Sequence, residues 1–184
     1  QPMPNLNTSV KVEIEGMIAS TTVNQMYTND TDEILETIYI FPLPPNSAVR
    51  DMEMIIGDRH IQGVVEEKQQ ARKMYKEAKA SGRKAGLTEQ ERPNIFTNSV
   101  ANIQPGDVII IRLKLVEKLR YDSGSFSYRF PLVVGPRFIP GNTITGYSGT
   151  GWAFDTNIVP DASRITPPVI PNGMRTGNDV NISI

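Results

Sequence analysis

Cysteine is absent from this 184-residue chain, and histidine and tryptophan each occur once. Without cysteine there is neither a disulfide framework nor a thiol nucleophile, and a single histidine leaves the usual zinc ligand sets unfilled. The lack does not fix a compartment, because exported and cytosolic proteins can both do without cysteine. Charge of one sign is also missing: 19 Lys and Arg stand against 20 Asp and Glu. No overall field therefore draws the chain to nucleic acid or to an acidic membrane. No apolar run approaches the roughly 18 residues of a membrane-spanning helix. No leader is visible, and the opening Gln1-Pro-Met-Pro4 is expected of a processed or excised chain.

What is present is a 39% hydrophobic fraction rich in β-branched residues, enough for a core at this length. Val10, Val12 and Ile14 alternate with Lys11, Glu13 and Glu15, the pattern of a half-buried strand, and Gly16 marks a bend or bulge within Ser9 to Tyr27. Glu36 to Phe41 reads as a strand stopped by prolines. Val49 to Ile56 alternates again, and Gly57-Asp58 reads as a hairpin turn into His60 to Val65. Ile95 to Ile103 and Val108 to Leu119 read as neighbouring strands joined through Gln104-Pro-Gly-Asp107. Val108 and Ile110 are expected to be buried at the start of the second. Phe126 to Val134 reads as a further strand, and Gly82 to Pro93 as an irregular polar crossing.

One helix interrupts this pattern, at about 65–81. Ala71, Met74, Tyr75 and Ala78 fall at i, i+3, i+4 and i+7 and share a narrow apolar face. Glu66 and Glu67 suit its start, Lys76 and Lys79 its end, and Gly82 its termination. The fold class these features define is mainly β: an antiparallel β-sandwich with one inserted amphipathic α-helix.

The helical block carries Gly63, Glu67, Lys68, Ala71, Tyr75 and Gly82. The block after it carries Leu87, Gln90, Arg92, Pro93, Asn94 and Phe96, then Pro105 and Gly106. With Tyr39 to Gly57 upstream and Arg129 to Gly141 downstream, this order resembles the VIT domain (vault protein, inter-alpha-trypsin) of inter-alpha-trypsin inhibitor heavy chains, vault poly(ADP-ribose) polymerase and many bacterial surface proteins. The Glu-Gln-Glu-Arg-Pro-Asn-Ile-Phe wording is most similar to bacterial members of the marine proteobacterial sortase target type. The resemblance implies a domain at 1–141. It also implies a von Willebrand type A domain as neighbour in the same polypeptide, export to the periplasm or cell surface, and an extracellular matrix or surface partner. Residues 142–184 are Gly- and Pro-rich. They are expected to form an extended segment anchored by Trp152 and Phe154, a weak strand over Arg164 to Ile170, and the start of a further β-rich connecting module at Val180 to Ile184. Unpaired, that last strand is expected to form homodimers.

No catalytic, cofactor or metal constellation emerges. His60 lacks a Gly-x-Ser-x-Gly partner for triad chemistry. Asn29, Asp30, Asp32 and Glu33 lack the spacing of a calcium loop, and Asp122-Ser-Gly-Ser-Phe126 lacks the serines of a type A metal motif. Lys68, Arg72, Lys73, Lys76, Lys79, Arg83 and Lys84 form a basic run read as a solvated helix face. Arg92-Pro-Asn-Ile-Phe96 reads as a structural latch, and Gly82, Gly86 and Gly106 as suppliers of unusual backbone angles. The expected role is a non-catalytic structural and protein-interaction module. Two alternatives stand beside it: a carbohydrate-binding module with Tyr147, Trp152 and Phe154 as stacking platform, and a hydrolase using His60.

Overall fold

The structure, a computed structural model, describes residues 5–44, 46–132, 134–169, 173 and 179–184. Alternating strands build two facing sheets. Strands β1 (Asn5–Glu15), β2 (Ile18–Thr28), β4 (Ala48–Ile56), β5 (Arg59–Gln62), β8 (Val108–Lys118) and β11 (Asp179–Ser183) form a six-stranded sheet in the order β11-β1-β2-β8-β4-β5. Strands β3 (Leu35–Pro42), β7 (Ile95–Ile103) and β6 (Ala85–Arg92) form a three-stranded sheet in the order β3-β7-β6. A short hairpin, β9 (Arg120–Asp122) with β10 (Ser125–Ser127), stands apart. All named pairings are antiparallel except β1 with β11.

The core lies between the two sheets. In β8, Ile109, Ile111, Leu113 and Leu115 point inward and are buried. They meet Phe41, Phe96, Val100 and Ile103 of the three-stranded sheet in one apolar cluster. A polar chain crosses this core: Asn98 Nδ2 and the Tyr27 hydroxyl both donate to Gln25 Oε1, and the Thr88 hydroxyl donates to Asn98 Oδ1. Every member has a partner, which is the condition for keeping polar atoms in an apolar interior.

Several strand expectations change. Gly16, at φ +57°, closes a tight hairpin between β1 and β2 rather than bending one strand. Strands β7 and β8 belong to different sheets, because the Gln104 to Asp107 turn is a corner tied to the loop at Asn29. Gly106 N donates to Asn29 O (2.8 Å), and Asn29 N donates to Asp107 O (3.0 Å). Val108 is exposed and Ile110 only half-buried, so the start of β8 is covered on one face alone. Residues 83–93 are not an irregular crossing but include strand β6, and the strand after Asp122 stops at Ser127. The expected weak strand at Arg164 to Ile170 gives way to a helical turn, α2 (Ala162–Ile165), and Ile170 lies outside the described residues. The last strand, β11, lies against β1 of the main sheet.

Helix α1 spans Lys68–Ala80. The Glu67 carboxylate caps its start, accepting from Gln69 N (3.2 Å) and Gln70 N (3.4 Å). Its end is held by Asn102, whose amide donates to Lys79 O (3.0 Å) and Arg83 O (2.8 Å). Gly82 follows at φ +73° with open space where a β-carbon would stand. A Gly82→Ala exchange meets only the left-handed backbone penalty. It is expected to cost about 1 kcal/mol, read as a lower urea midpoint at unchanged slope.

Candidate functional site

In strand β6, Ala85, Leu87, Glu89 and Glu91 share one face, and Ala85, Glu89 and Glu91 are buried. The end of that face carries a cluster of linked ion pairs. The Glu89 and Glu91 side chains are 7% and 2% exposed. Glu89 accepts from Arg72 Nε (2.6 Å) and from Arg164 Nη2 (2.9 Å). Glu91 accepts from Lys68 Nζ (3.0 Å), the Thr97 hydroxyl (3.2 Å), Arg164 Nε (3.0 Å) and Arg164 Nη2. Next to them Arg92 and Asp161 form a two-bonded pair at 2.8 and 2.7 Å. Burial raises the Glu91 pKa, but Arg164 and Lys68 outweigh it and hold the carboxyl below its ordinary value. The Arg92 guanidinium likewise lowers Asp161. Two carboxylates on one strand thus tie together helix α1, through Lys68 and Arg72, and the chain beyond residue 140, through Arg164.

That later chain is neither extended nor held by its aromatic rings. Residues 140–169 fold on themselves around buried Asp155, Ser163 and Thr166. Asp155 accepts from Ser148 N (2.6 Å) and Ser163 N (2.8 Å). Burial pushes its pKa up, while these bonds from Ser163 and Ser148 outweigh that and bring it below the ordinary value. Gly151 passes so close to Ser163 and Thr166 that a β-carbon there would collide with their carbonyls. Ala153 and Asp155 point inward, so Trp152 and Phe154 point out. Tyr147, Trp152 and Phe154 are 59%, 48% and 53% exposed, which overturns the anchoring role expected of Trp152 and Phe154. The Tyr147 and Phe154 rings meet at 5.2 Å and a 43° tilt.

Glu91 and Asp161 both ionise below their ordinary values in the folded chain. Their contribution is therefore complete above the ordinary carboxylate range near about 4, and is lost as pH falls through the lower folded values. The thermal midpoint is expected to hold steady from neutral pH down to about 4 and then to drop, with a shallower acid drop in Glu91→Gln.

The other sequence-singled residues separate clearly. Lys68, Arg72, Lys79 and Lys84 of the basic run pair with Glu91, Glu89, Glu36 and Asp107. Gly63 N closes the β4–β5 hairpin on Met52 O (2.7 Å). Gln90 Nε2 donates to Pro93 O (3.2 Å), and Asn94 O accepts from Leu43 N (3.2 Å), so Arg92 to Asn94 is the β6–β7 turn. Phe96 is in the core as expected. Gly106 has φ +77° after Pro105. Gly86 does not have a positive φ; a β-carbon there would press on Ile111 and Met54 at 3.3 and 3.4 Å. Asn29 is buried, with its amide donating to Glu33 O and Ile103 O, so the loop it begins is internally bonded. Among the described residues no cluster of His, Asp and Glu is placed to hold a metal ion. His60 lies on the β4–β5 hairpin with Nδ1 at 2.8 Å from Glu53 Oε1, and among the described residues no hydroxyl is bonded to it.

Helix α1 has no buried residue. Its apolar face, Ala71, Met74, Tyr75 and Ala78, lines a cleft of about 250 Å³ opposite Met52, Met54 and Leu87. The helix is held at its rims instead. Lys68 and Arg72 grip β6, while Tyr75 and Lys79 bond Glu36.

Two facing sheets, a rim-held helix and a charged tie to the following chain define a β-sandwich module whose chemistry joins its own parts. Residues 6–115 match the family described as the vault protein inter-alpha-trypsin domain, and the chain belongs to that family. It is 34% identical over 73% of its length to the mouse protein mono-ADP-ribosyltransferase PARP4. It is 30% identical over 75% of its length to human von Willebrand factor A domain-containing protein 5A, and 28% over 60% to a von Willebrand factor A domain-containing protein of Dictyostelium discoideum. The chain spans 7%, 18% and 12% of these relatives, respectively.

Proposed function

We propose that this VIT domain is a non-catalytic structural module that packs against and presents a neighbouring von Willebrand type A domain of the same polypeptide. The observation that carries this reading is the company its relatives keep. The human and Dictyostelium proteins are named for a von Willebrand factor A domain and are several times longer than the match. The outward face of Tyr147, Trp152 and Phe154 supplies a surface for the contact, since exposed aromatic residues are typical interface anchors. The full proposal includes a bacterial source, export to the periplasm or cell surface, and a matrix or surface partner for the assembled protein.

The test is chemical cross-linking of the full-length polypeptide, read by mass spectrometry, with cell fractionation alongside. Cross-links between residues 140–169 and the type A domain are expected, and Tyr147→Ser with Phe154→Ser should reduce them. A cross-link map with the two domains never in contact sinks the packing claim, and recovery only from the cytosol sinks the export claim.

A second reading is sugar stacking on the same rings. Their exposure favours it, and the 43° tilt between Tyr147 and Phe154 weighs against a single flat platform. Trp152 emission unmoved by matrix oligosaccharides, in a protein where acrylamide quenches it, would dispose of this reading. Strand β11 is at an edge of its sheet. Pairing of that edge between two copies is proposed as a route to dimers, and sedimentation showing monomer alone at high concentration counts against it.

A further inference from the structure

We propose that residues 140–169 form a strap that leaves the sandwich as a unit, and that the carboxylates of Glu89 and Glu91 are the latch that holds it down. The strap is bonded chiefly to itself. Gly151 N donates to Ser163 O, Trp152 N to Thr166 O, Ile144 N to Asp155 O and Asn157 N to Asn142 O. Among the described residues no backbone–backbone hydrogen bond joins the strap to either sheet. Among the described residues, what crosses the boundary is an apolar contact and three ion pairs. Ile165 and Val159 pack with Ile40 and Ile95, Arg164 bonds Glu89 and Glu91, and Asp161 bonds Arg92.

The latch has a feature that makes opening feasible. A buried carboxylate stripped of its only cation is costly. Here each one has a second cation from helix α1: Glu89 keeps Arg72 and Glu91 keeps Lys68 when Arg164 departs. Arg164 itself, with Asp161, passes into water. The opened state therefore leaves neither buried carboxylate without a cation, and Arg92, which gives up Asp161, is 38% exposed and passes to water, while the closed state gains the guanidinium fork. The helix and the strap share the same two carboxylates, so a pull on α1 is felt at Arg164. Because Tyr147, Trp152 and Phe154 ride on the strap, the latch also governs how that aromatic face is held. The strap opens in this way whatever docks on it, so the partner reading above can fail without affecting it.

A detached strap of about 30 residues is too short to keep a fold of its own, so its amides exchange when it opens. Hydrogen exchange on the full chain, wild type and Arg164→Ala, tests this. The reporters are Gly151, Trp152 and Ala153 in the strap, and Val23 and Leu113 in the central strands. In Arg164→Ala the strap amides are expected to exchange at least roughly tenfold faster while the central strands keep their rates. Arg164→Lys should fall between. If Arg164→Ala does not fold, Asp161→Asn gives the same reading through the outer pair. Strap and central amides exchanging at one common rate in wild type and variant overturn the proposal, as do strap amides that none of the substitutions accelerates.

Discussion

Glu91→Ala is expected to cost about 3–5 kcal/mol, the range for removing one partner of a buried ion pair. The Glu91 side chain is 2% exposed and accepts from three residues, Lys68, Thr97 and Arg164. Removing it leaves the Arg164 guanidinium with Glu89 alone and the Lys68 ammonium with no carboxylate in reach among the described contacts. The loss should show as a lower denaturant midpoint, and strap and sandwich should melt in separate steps rather than one. Glu91→Gln keeps the volume and one acceptor oxygen but not the charge, so its cost should be smaller. The two variants distinguish a charge effect from a packing effect: equal losses would mean that the charge carries the whole effect, and a Glu91→Gln chain as stable as wild type would mean that the side chain acts as filler. Lys68→Ala should cost less than either, because its side chain is 45% exposed and part of its gain is screened.

The latch shows what was legible in the sequence and what was not. Strand β8 could be read because Ile109, Ile111, Leu113 and Leu115 all face one way, and period-two apolar patterning is a local signal. Helix α1 could be read for the same reason at period 3.6, down to Gly82 after its end. Strand β6 could not. Its stretch Thr88-Glu-Gln-Glu-Arg92 is polar on both faces, and its buried carboxylates find their cations far along the chain, in Lys68 and Arg72 of α1 and in Arg164, more than 70 positions away. A faint signal existed. Ala85, Leu87, Glu89 and Glu91 share one parity, and Arg164 is the lone cation between residues 140 and 169.

Two other misreadings have the same origin, a partner set by tertiary structure. The Pro-Gly-Asp turn after β7 has hairpin chemistry, yet Asn29 captures Gly106 and Asp107 and sends β8 to the opposite sheet. In the strap, the sequence leads one to expect Trp152 and Phe154 as anchors of an extended segment. Parity decided otherwise: Ala153 and Asp155 take the inner positions, Asp155 with two backbone amides to bond, and Trp152 and Phe154 are left outside. Along a strand-like segment a one-residue change of register exchanges the faces, and composition alone does not say which is inner.

Leu113→Ala is expected to cost about 3–5 kcal/mol, the lost transfer energy of the side chain plus the cavity it leaves. Leu113 is fully buried in the middle of β8, paired with Val23 on one side and Met52 on the other. Met52 could swing into part of the space, since an unbranched thioether fills irregular gaps and its side chain already borders the cleft under α1. A cost at the low end of the range would report that collapse, and the cleft, with Met52 withdrawn from its lining, should then widen. The contrast with Glu91 is in the shape of unfolding. Leu113 sits in the sheet that the whole sandwich depends on, so its loss should lower the final, cooperative step and leave the strap's own exchange rate relative to that step no slower than before. A Leu113→Ala chain that loses its strap first, with the sandwich midpoint unchanged, would place the cohesion of this domain in its ionic rim rather than in the apolar layer between its sheets.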